Sequence, residues 1–282
     1  MAPPMTADRF LSALKAEGVT VVEVGSWRTH NRNSKGAWGP VNGVMIHHTV
    51  TSGSARTVEI CRNGYSGLPG PLCHGVITKD GRVHLVGYGR ANHAGSGDDD
   101  VLAAVIAEKK LPAANEANTD GNARFYGFEC ENLGDGKDPW ANAQLDAIER
   151  VSAAICRVHG WDAASVIGHL EWQPGKVDPR GFTMASMRDR IERRLSAPPG
   201  KTPAPTTPDK EPTLADMTAA QVHAAVWGRD AIPSPSTVST HKTNPTWKAE
   251  SYLPELVDRI SRLTAKVDAL AKDVAELKKK GA

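Results

Sequence analysis

Val44-Met45-Ile46-His47-His48-Thr49 reads as a β-strand that closes on histidine, and it decides how the rest of the chain is read. Val166-Ile167-Gly168-His169 repeats the arrangement, a short apolar run ending in an imidazole. Asp178 follows nine residues later in Pro174-Gly175-Lys176-Val177-Asp178-Pro179, across a Trp/Pro/Gly segment able to loop back to the same point. A histidine ending an apolar strand is held rigidly at a sheet edge, where a ligand belongs. Two imidazoles and a carboxylate are the donor set of a catalytic zinc site, in which a fourth position stays open to water. Each residue alone has a plainer reading: a hydrogen-bonded core histidine, or a turn-forming aspartate before proline. Taken together they point to one Zn2+ held by His47, His169 and Asp178, and to a metal-dependent hydrolase.

Outward from these segments, residues 6–17 predict an amphipathic helix with Thr6 as N-cap, Phe10, Leu11 and Leu14 inward and Gly18 as the stop. Val19 to Val24, Val44 to Val50, Cys73 to Thr78, Arg82 to Val86 and Phe125 to Glu131 are strand-like. The third and fourth of these are joined by Lys79-Asp80-Gly81, and Asp-Gly is a strong hairpin signal. Val101 to Lys110 is helical in pattern. Residues 141–158 put Leu145, Ile148, Val151, Ile155 and Val158 on one face, and Met187, Ile191 and Leu195 repeat the pattern over 184–195. The irregular alternation with one hairpin predicts an α/β fold, a mixed central β-sheet flanked by helices.

Size and composition narrow the function. The 282 residues are 40% hydrophobic and 23% charged, ordinary for a globular protein. A formal net charge of +2 gives no argument for nucleic acid as partner. No apolar stretch approaches the roughly 20 residues of a membrane span, so no membrane insertion is expected. The start, Met1 to Phe10, lacks a basic leader and an apolar core, which predicts cytoplasmic synthesis without a secretory signal, so that any target outside the cytoplasm is met only after release by another route. Cys61 and Cys73 flank a Gly/Pro-rich loop and could pair across it; Cys130 and Cys156 read as buried small hydrophobes.

Composition shifts at Ala197-Pro198-Pro199-Gly200. A catalytic domain over 1–196, with an N-terminal helix-strand extension 1–40, is therefore followed by a Pro-rich linker 197–212 that favours extended geometry. Residues 213–250 form a helical and turn region of unassigned role, its helical stretch over Leu214 to Trp227, with Trp227 and Trp247 read as helix anchors or as part of a small binding element. Residues 251–280 carry a heptad seam, with Ile260, Val267 and Val274 at a and Leu256, Leu263, Leu270 and Leu277 at d. β-branched a with leucine d favours a parallel dimeric coiled coil, so a homo-oligomer is expected.

Five blocks then occur in order: Val44 to Thr49, Cys73 to Val83, Ala91-Asn92-His93-Ala94-Gly95, Tyr126-Gly127-Phe128-Glu129, and His169 to Pro179. Together they resemble the zinc-dependent N-acetylmuramoyl-L-alanine amidases of the type 2 family, which share a fold with peptidoglycan recognition proteins. The resemblance covers roughly residues 40–185. It implies a peptidoglycan hydrolase that cuts the amide between N-acetylmuramic acid and L-alanine of the stem peptide. It implies His47, His169 and Asp178 as zinc ligands, Glu129 and Lys176 as catalytic residues, and Asn92, His93 and Trp172 as substrate contacts.

The chemistry of these side chains is compatible with such roles. Zinc lowers the pKa of bound water to about 7, a carboxylate such as Glu129 can relay its proton, and the Lys176 ammonium can stabilise an oxyanion. Glu131 competes with Glu129 as the base, because strand alternation places both on one face, and only the resemblance favours Glu129. A structural salt bridge is the alternative for Lys176. Two departures stand out: Cys73 replaces the tyrosine common before the hairpin histidine, and the loop before Asp178 is one residue shorter than usual. The modular plan resembles a phage or prophage lysin. The alternatives are a non-catalytic peptidoglycan-binding protein on the same fold and a cytosolic amidase that recycles muropeptides.

Overall fold

The computed structural model of the chain describes residues 2–201, 230–233 and 246–280, with side-chain detail over 2–201 and 256–272. The chain divides into two compact units, Met1–Ala204 and Pro205–Ala282. In the first, six strands form one sheet: β1 (Val21–Glu23), β2 (Gly43–His48), β3 (Gly75–Ile77), β4 (Val83–Leu85), β5 (Phe125–Cys130) and β6 (Val166–Gly168). Their spatial order is β1-β4-β3-β5-β2-β6. The β3–β4 pair is antiparallel and turns through Lys79-Asp80-Gly81, where Gly81 supplies the φ of 81° that such a turn needs. The other four pairings are parallel. The sheet is mixed, as the alternation of elements predicts.

Helices cover both faces. They are α1 (Ala7–Ala16), α2 (Ser54–Asn63), α3 (Asp99–Ile106), α4 (Asn142–His159), the single turn α5 (His169–Trp172) and α6 (Met184–Ser196). Thr6 caps α1 by accepting the Arg9 N–H at 3.2 Å, and Phe10, Leu11 and Leu14 turn inward. Strand alternation sorts the side chains by face. Val44, Ile46, Tyr126, Phe128 and Val166 point into the larger core beneath α1, α4 and α6. Met45, Phe125 and Ile167 point the other way, against Val101 and Val105 of α3 and Trp172 of α5. His47 and Glu129 share the parity of this second set.

One position on α6 breaks the apolar pattern. Arg194 is 1% exposed, and its guanidinium reaches Asp146 at 2.5 Å and Glu149 at 3.3 Å on α4. A charge buried this deeply persists only when paired, so this bridge fixes how α6 lies on α4.

In the second unit, an antiparallel ribbon joins Asp230–Pro233 to Thr246–Lys248, ahead of a long helix, α7 (Ala249–Lys280). Most of the expected helical and turn region over 213–250 and most of the Pro-rich stretch lie outside the described residues. Along α7 the described seam residues are open to solvent in the single chain: Ile260 is 55%, Leu263 63%, Val267 57% and Leu270 67% exposed. No helix among the described residues is long and apolar enough to cross a membrane.

His74, just before β3, pins the sheet from inside. Its Nδ1 accepts the Gly127 N–H at 2.9 Å, so its proton sits on Nε2 and is donated to the Gly89 carbonyl at 2.8 Å. Burial pushes its pKa down to about 4, against the opposing pull of the Gly89 carbonyl. The folded value lies below the unfolded value of about 6.5, so this stability is fully present above pH 6.5. Below that the unfolded chain takes up the proton first, and the contribution is lost as pH falls toward 4. Between pH 7 and pH 4 the wild type should lose on the order of 3 kcal/mol more unfolding free energy than His74→Gln in denaturant titrations. Parallel losses in the two proteins would contradict this role.

Candidate functional site

The site forms where three parallel strands end. β2 and β5 pair in register with His47 opposite Glu129, and β6 pairs with β2 so that Gly168 faces Ile46. The next residue, His169, opens α5 beside His47. This is the carboxyl end of the strands, where open α/β sheets bind ligands.

Residues around α5 aim His169 and bring Asp178 back. Glu171 accepts the Gly168 N–H at 3.1 Å and takes a two-pronged bond from Arg188 at 2.8 and 2.9 Å. Arg188 also holds the Val166 carbonyl at 3.1 Å, which ties α6 to the start of β6. The Leu170 N–H donates to the Asp178 carbonyl at 2.7 Å and closes the loop over 173–178. Gly168 is needed for this return: a Cβ there would fall 2.8 Å from Pro179 Cδ.

Three atoms converge as a result. His47 Nδ1 lies 3.1 Å from His169 Nδ1 and 3.0 Å from Asp178 Oδ2, and His169 Nδ1 lies 3.1 Å from the same oxygen. These residues form a group able to hold a metal ion. Burial pushes the Asp178 carboxyl up, but the imidazoles of His169 and His47 beside it overcome that and hold the carboxyl far below the usual range. Burial drives the His47 imidazole down to about 4, against the pull of Asp178. A carboxylate and a neutral imidazole at His47 are protonation states that suit a metal. Ligands about 2.0–2.1 Å from a tetrahedral ion stand about 3.3 Å apart, close to the spacing here. The donor set and its spacing fit zinc.

These groups line a cavity of about 420 Å³ together with Glu129, Lys176, Asn92 and His93. Glu129 Oε2 is buried without a hydrogen-bond partner. Burial pushes its carboxyl well up, Cys61 and Asp178 add to that, and the Lys176 charge pulls it back. Glu131 is separated from it. β5 stops at Cys130, and the Glu131 carboxylate turns away to accept the Gly53 N–H at 2.9 Å and the Ser54 hydroxyl at 2.6 Å. His48 likewise leaves the cluster and accepts the Arg180 N–H at 3.0 Å.

Trp172 is elsewhere than expected for a substrate contact. It is fully buried, packs against Phe125, and donates its indole N–H to the Ala94 carbonyl at 3.0 Å. It therefore braces the loop that carries His93 from behind. Asn122 completes that brace: its Oδ1 accepts the N–H groups of His93, Ala94 and Gly95 at 2.9, 2.9 and 3.3 Å. Neither this clamp nor the Cys61 lining of the cavity is visible in local sequence. Cys61 and Cys73 are both buried free thiols, with no bridge between them.

Residues 37–181 match the profile of the Amidase_2 family, N-acetylmuramoyl-L-alanine amidase. Comparison with curated proteins gave no match. Among solved structures, the chain is similar to the endolysin N-acetylmuramoyl-L-alanine amidase LysCS from Clostridium intestinale, at 18% identity and a TM-score of 0.40, over 61% of this chain and 94% of that one. It is also similar to Staphylococcus aureus hydrolase AmiA bound to its ligand, at 14% identity and a TM-score of 0.42, over 69% and 93% of the two chains. The amidase AmiD from E. coli, in complex with anhydro-N-acetylmuramic acid-L-Ala-D-gamma-Glu-L-Lys, aligns at 17% identity and a TM-score of 0.39, over 55% and 60%. The sequence profile spans more than half of the 282 residues, and on that ground the chain belongs to the Amidase_2 family of N-acetylmuramoyl-L-alanine amidases.

Proposed function

We propose that this amidase is a zinc enzyme of the cell wall, with His47, His169 and Asp178 as the ligands of one Zn2+. The observation that carries the reading is the convergence of three lone-pair atoms within 3.1 Å, in a cavity that also holds an unpartnered carboxylate. When bound, zinc supplies a Lewis acid able to bring the pKa of water to about 7. Glu129 takes the proton of the attacking water on its carboxylate and passes it to the departing L-alanine amine. Its buried setting makes it a strong base once ionised. Lys176 places a positive charge where the lactyl carbonyl oxygen becomes an oxyanion. Asn92 and His93 line the cavity wall facing the glycopeptide, and Trp172 supports them from within the core.

The wider role proposed is that of a phage or prophage lysin acting on the host wall. A catalytic unit followed by a Pro-rich stretch and a separate helical segment supports that plan. A parallel dimer through α7 is part of it, because an apolar seam left open to water along a helix is stabilised by a second copy. Two catalytic heads on one polymer would gain avidity through effective concentration. A non-catalytic binding protein is disfavoured by the complete donor set. A recycling amidase leaves the exposed seam without purpose, and comparing activity on intact walls with that on soluble fragments separates it from a lysin.

Three outcomes are expected. Metal analysis should find near-stoichiometric zinc in the wild type and none in His169→Ala, which should also fail to release free L-alanine amino termini from purified wall. Glu129→Gln should keep its zinc yet lose about 100-fold or more in rate; unaltered activity would remove Glu129 from the chemistry. Deleting residues 251–282 should give a monomer that still cleaves small substrates but binds walls more weakly. An unchanged mass in sedimentation would defeat the dimer.

A further inference from the structure

The His47 ring faces two ways. Its Nδ1 looks into the cluster, toward His169 and Asp178. Its Nε2 lies 3.2 Å from Nδ1 of His93, with the two rings at 87° to each other. His47 and His93 are only 1% and 7% exposed, so this contact is shielded from water. A neutral imidazole carries one proton, and which nitrogen holds it depends on what the other can bind. A proton on Nδ1 of His47 would occupy the direction a cation needs. A proton on Nε2 leaves that lone pair free, provided something at Nε2 accepts it.

We propose that His93 is the positioning residue for His47, accepting its Nε2–H and thereby fixing the tautomer and ring angle that present Nδ1 to the metal. This rests on the zinc reading above. It changes the role expected for His93, from a side chain that only meets substrate to one that acts through a ligand.

The fold is built to hold His93 in this place. Asn122 gathers the backbone N–H groups of His93, Ala94 and Gly95 on one oxygen, and Trp172 holds the Ala94 carbonyl from the other side. On β5, Gly127 leaves the space that the ring fills: a Cβ there would stand 2.4 Å from His93 Nδ1. Glycine weakens the interior of a strand, and its presence marks a close approach that a side chain would block. Metal-bound histidines characteristically donate their second N–H to such a partner, and losing the partner typically costs 10–100-fold in metal affinity.

The test is zinc affinity, measured by competition against a chelator of known affinity in the full-length wild type, His93→Asn and His93→Leu. An asparagine Oδ1 lies near the position of an imidazole Nδ1 and can accept the same bond, whereas leucine fills the space without accepting one. The expected result is a 10–100-fold loss of affinity in His93→Leu and near-wild-type affinity in His93→Asn. Equal affinity in all three, whatever their activity, overturns the proposal and leaves the zinc reading standing. Failure of the wild type to bind zinc overturns both. Because His93→Leu could compromise folding, the tautomers are also read in zinc-loaded wild type by long-range proton–nitrogen NMR. Protons on Nε2 of both His47 and His93 support the proposal, and a proton on Nδ1 of His93 contradicts it.

Discussion

Strand register is the constraint from which the site follows. β2 is paired in parallel on both sides, with β5 and with β6, and these two registers bring Glu129 and His169 alongside His47. A slip of one residue on β2 would turn His47 into the core beneath α1 and α4 and put His48 in its place, because side chains alternate faces. The slip is opposed by every apolar residue of the strand. Val44 and Ile46 pack on one side and Met45 on the other, all without solvent exposure. The burial that stabilises the sheet also aims the imidazole, so site geometry and core packing are one problem solved together.

Asp178 depends on a different device. It belongs to no strand, and it reaches the two imidazoles because Glu171 and Arg188 lock the turn after β6 while Leu170 holds the Asp178 carbonyl. Carboxylate and guanidinium meet in two parallel bonds, a geometry with directional as well as charge preference. The site thus has a rigid half from the sheet and a clamped half from a loop. Glu129 stands on the rigid half and Lys176 on the clamped half, so the carboxylate is fixed by the sheet and the ammonium is carried by the loop.

The strands that build the sheet are legible in the chain because they are short β-branched and aromatic runs, and the hairpin because Asp80-Gly81 admits few other conformations. The convergence of His47, His169 and Asp178 is legible as a joint pattern, since each histidine ends an apolar run and the aspartate follows the second one across a Trp/Pro/Gly loop. α2 is not. Ser54-Ala55-Arg56-Thr57-Val58-Glu59-Ile60-Cys61-Arg62-Asn63 is largely polar, and the residue before it, Gly53, has no side chain to cap with. Its start is instead held by Glu131, far along the chain, which accepts the Gly53 N–H and the Ser54 hydroxyl, and no local pattern reports that. The same bond explains why Glu131 resembles Glu129 in sequence and differs from it in space. Trp172 is a similar case: a tryptophan three residues after His169 suggests a binding platform, but the glycines at 97 and 121 leave the room into which its indole packs.

The account stands on one cation held by two imidazole nitrogens and one carboxylate oxygen. Zinc-edge X-ray absorption on the loaded, full-length protein reads that shell directly. The result predicted is four light donors at about 2.0 Å, two of them with the outer-shell scattering of imidazole and the fourth a solvent oxygen. A sulfur neighbour at about 2.3 Å would place the metal on the Cys61 and Cys73 thiols instead, and a shell without imidazole would contradict the assignment altogether.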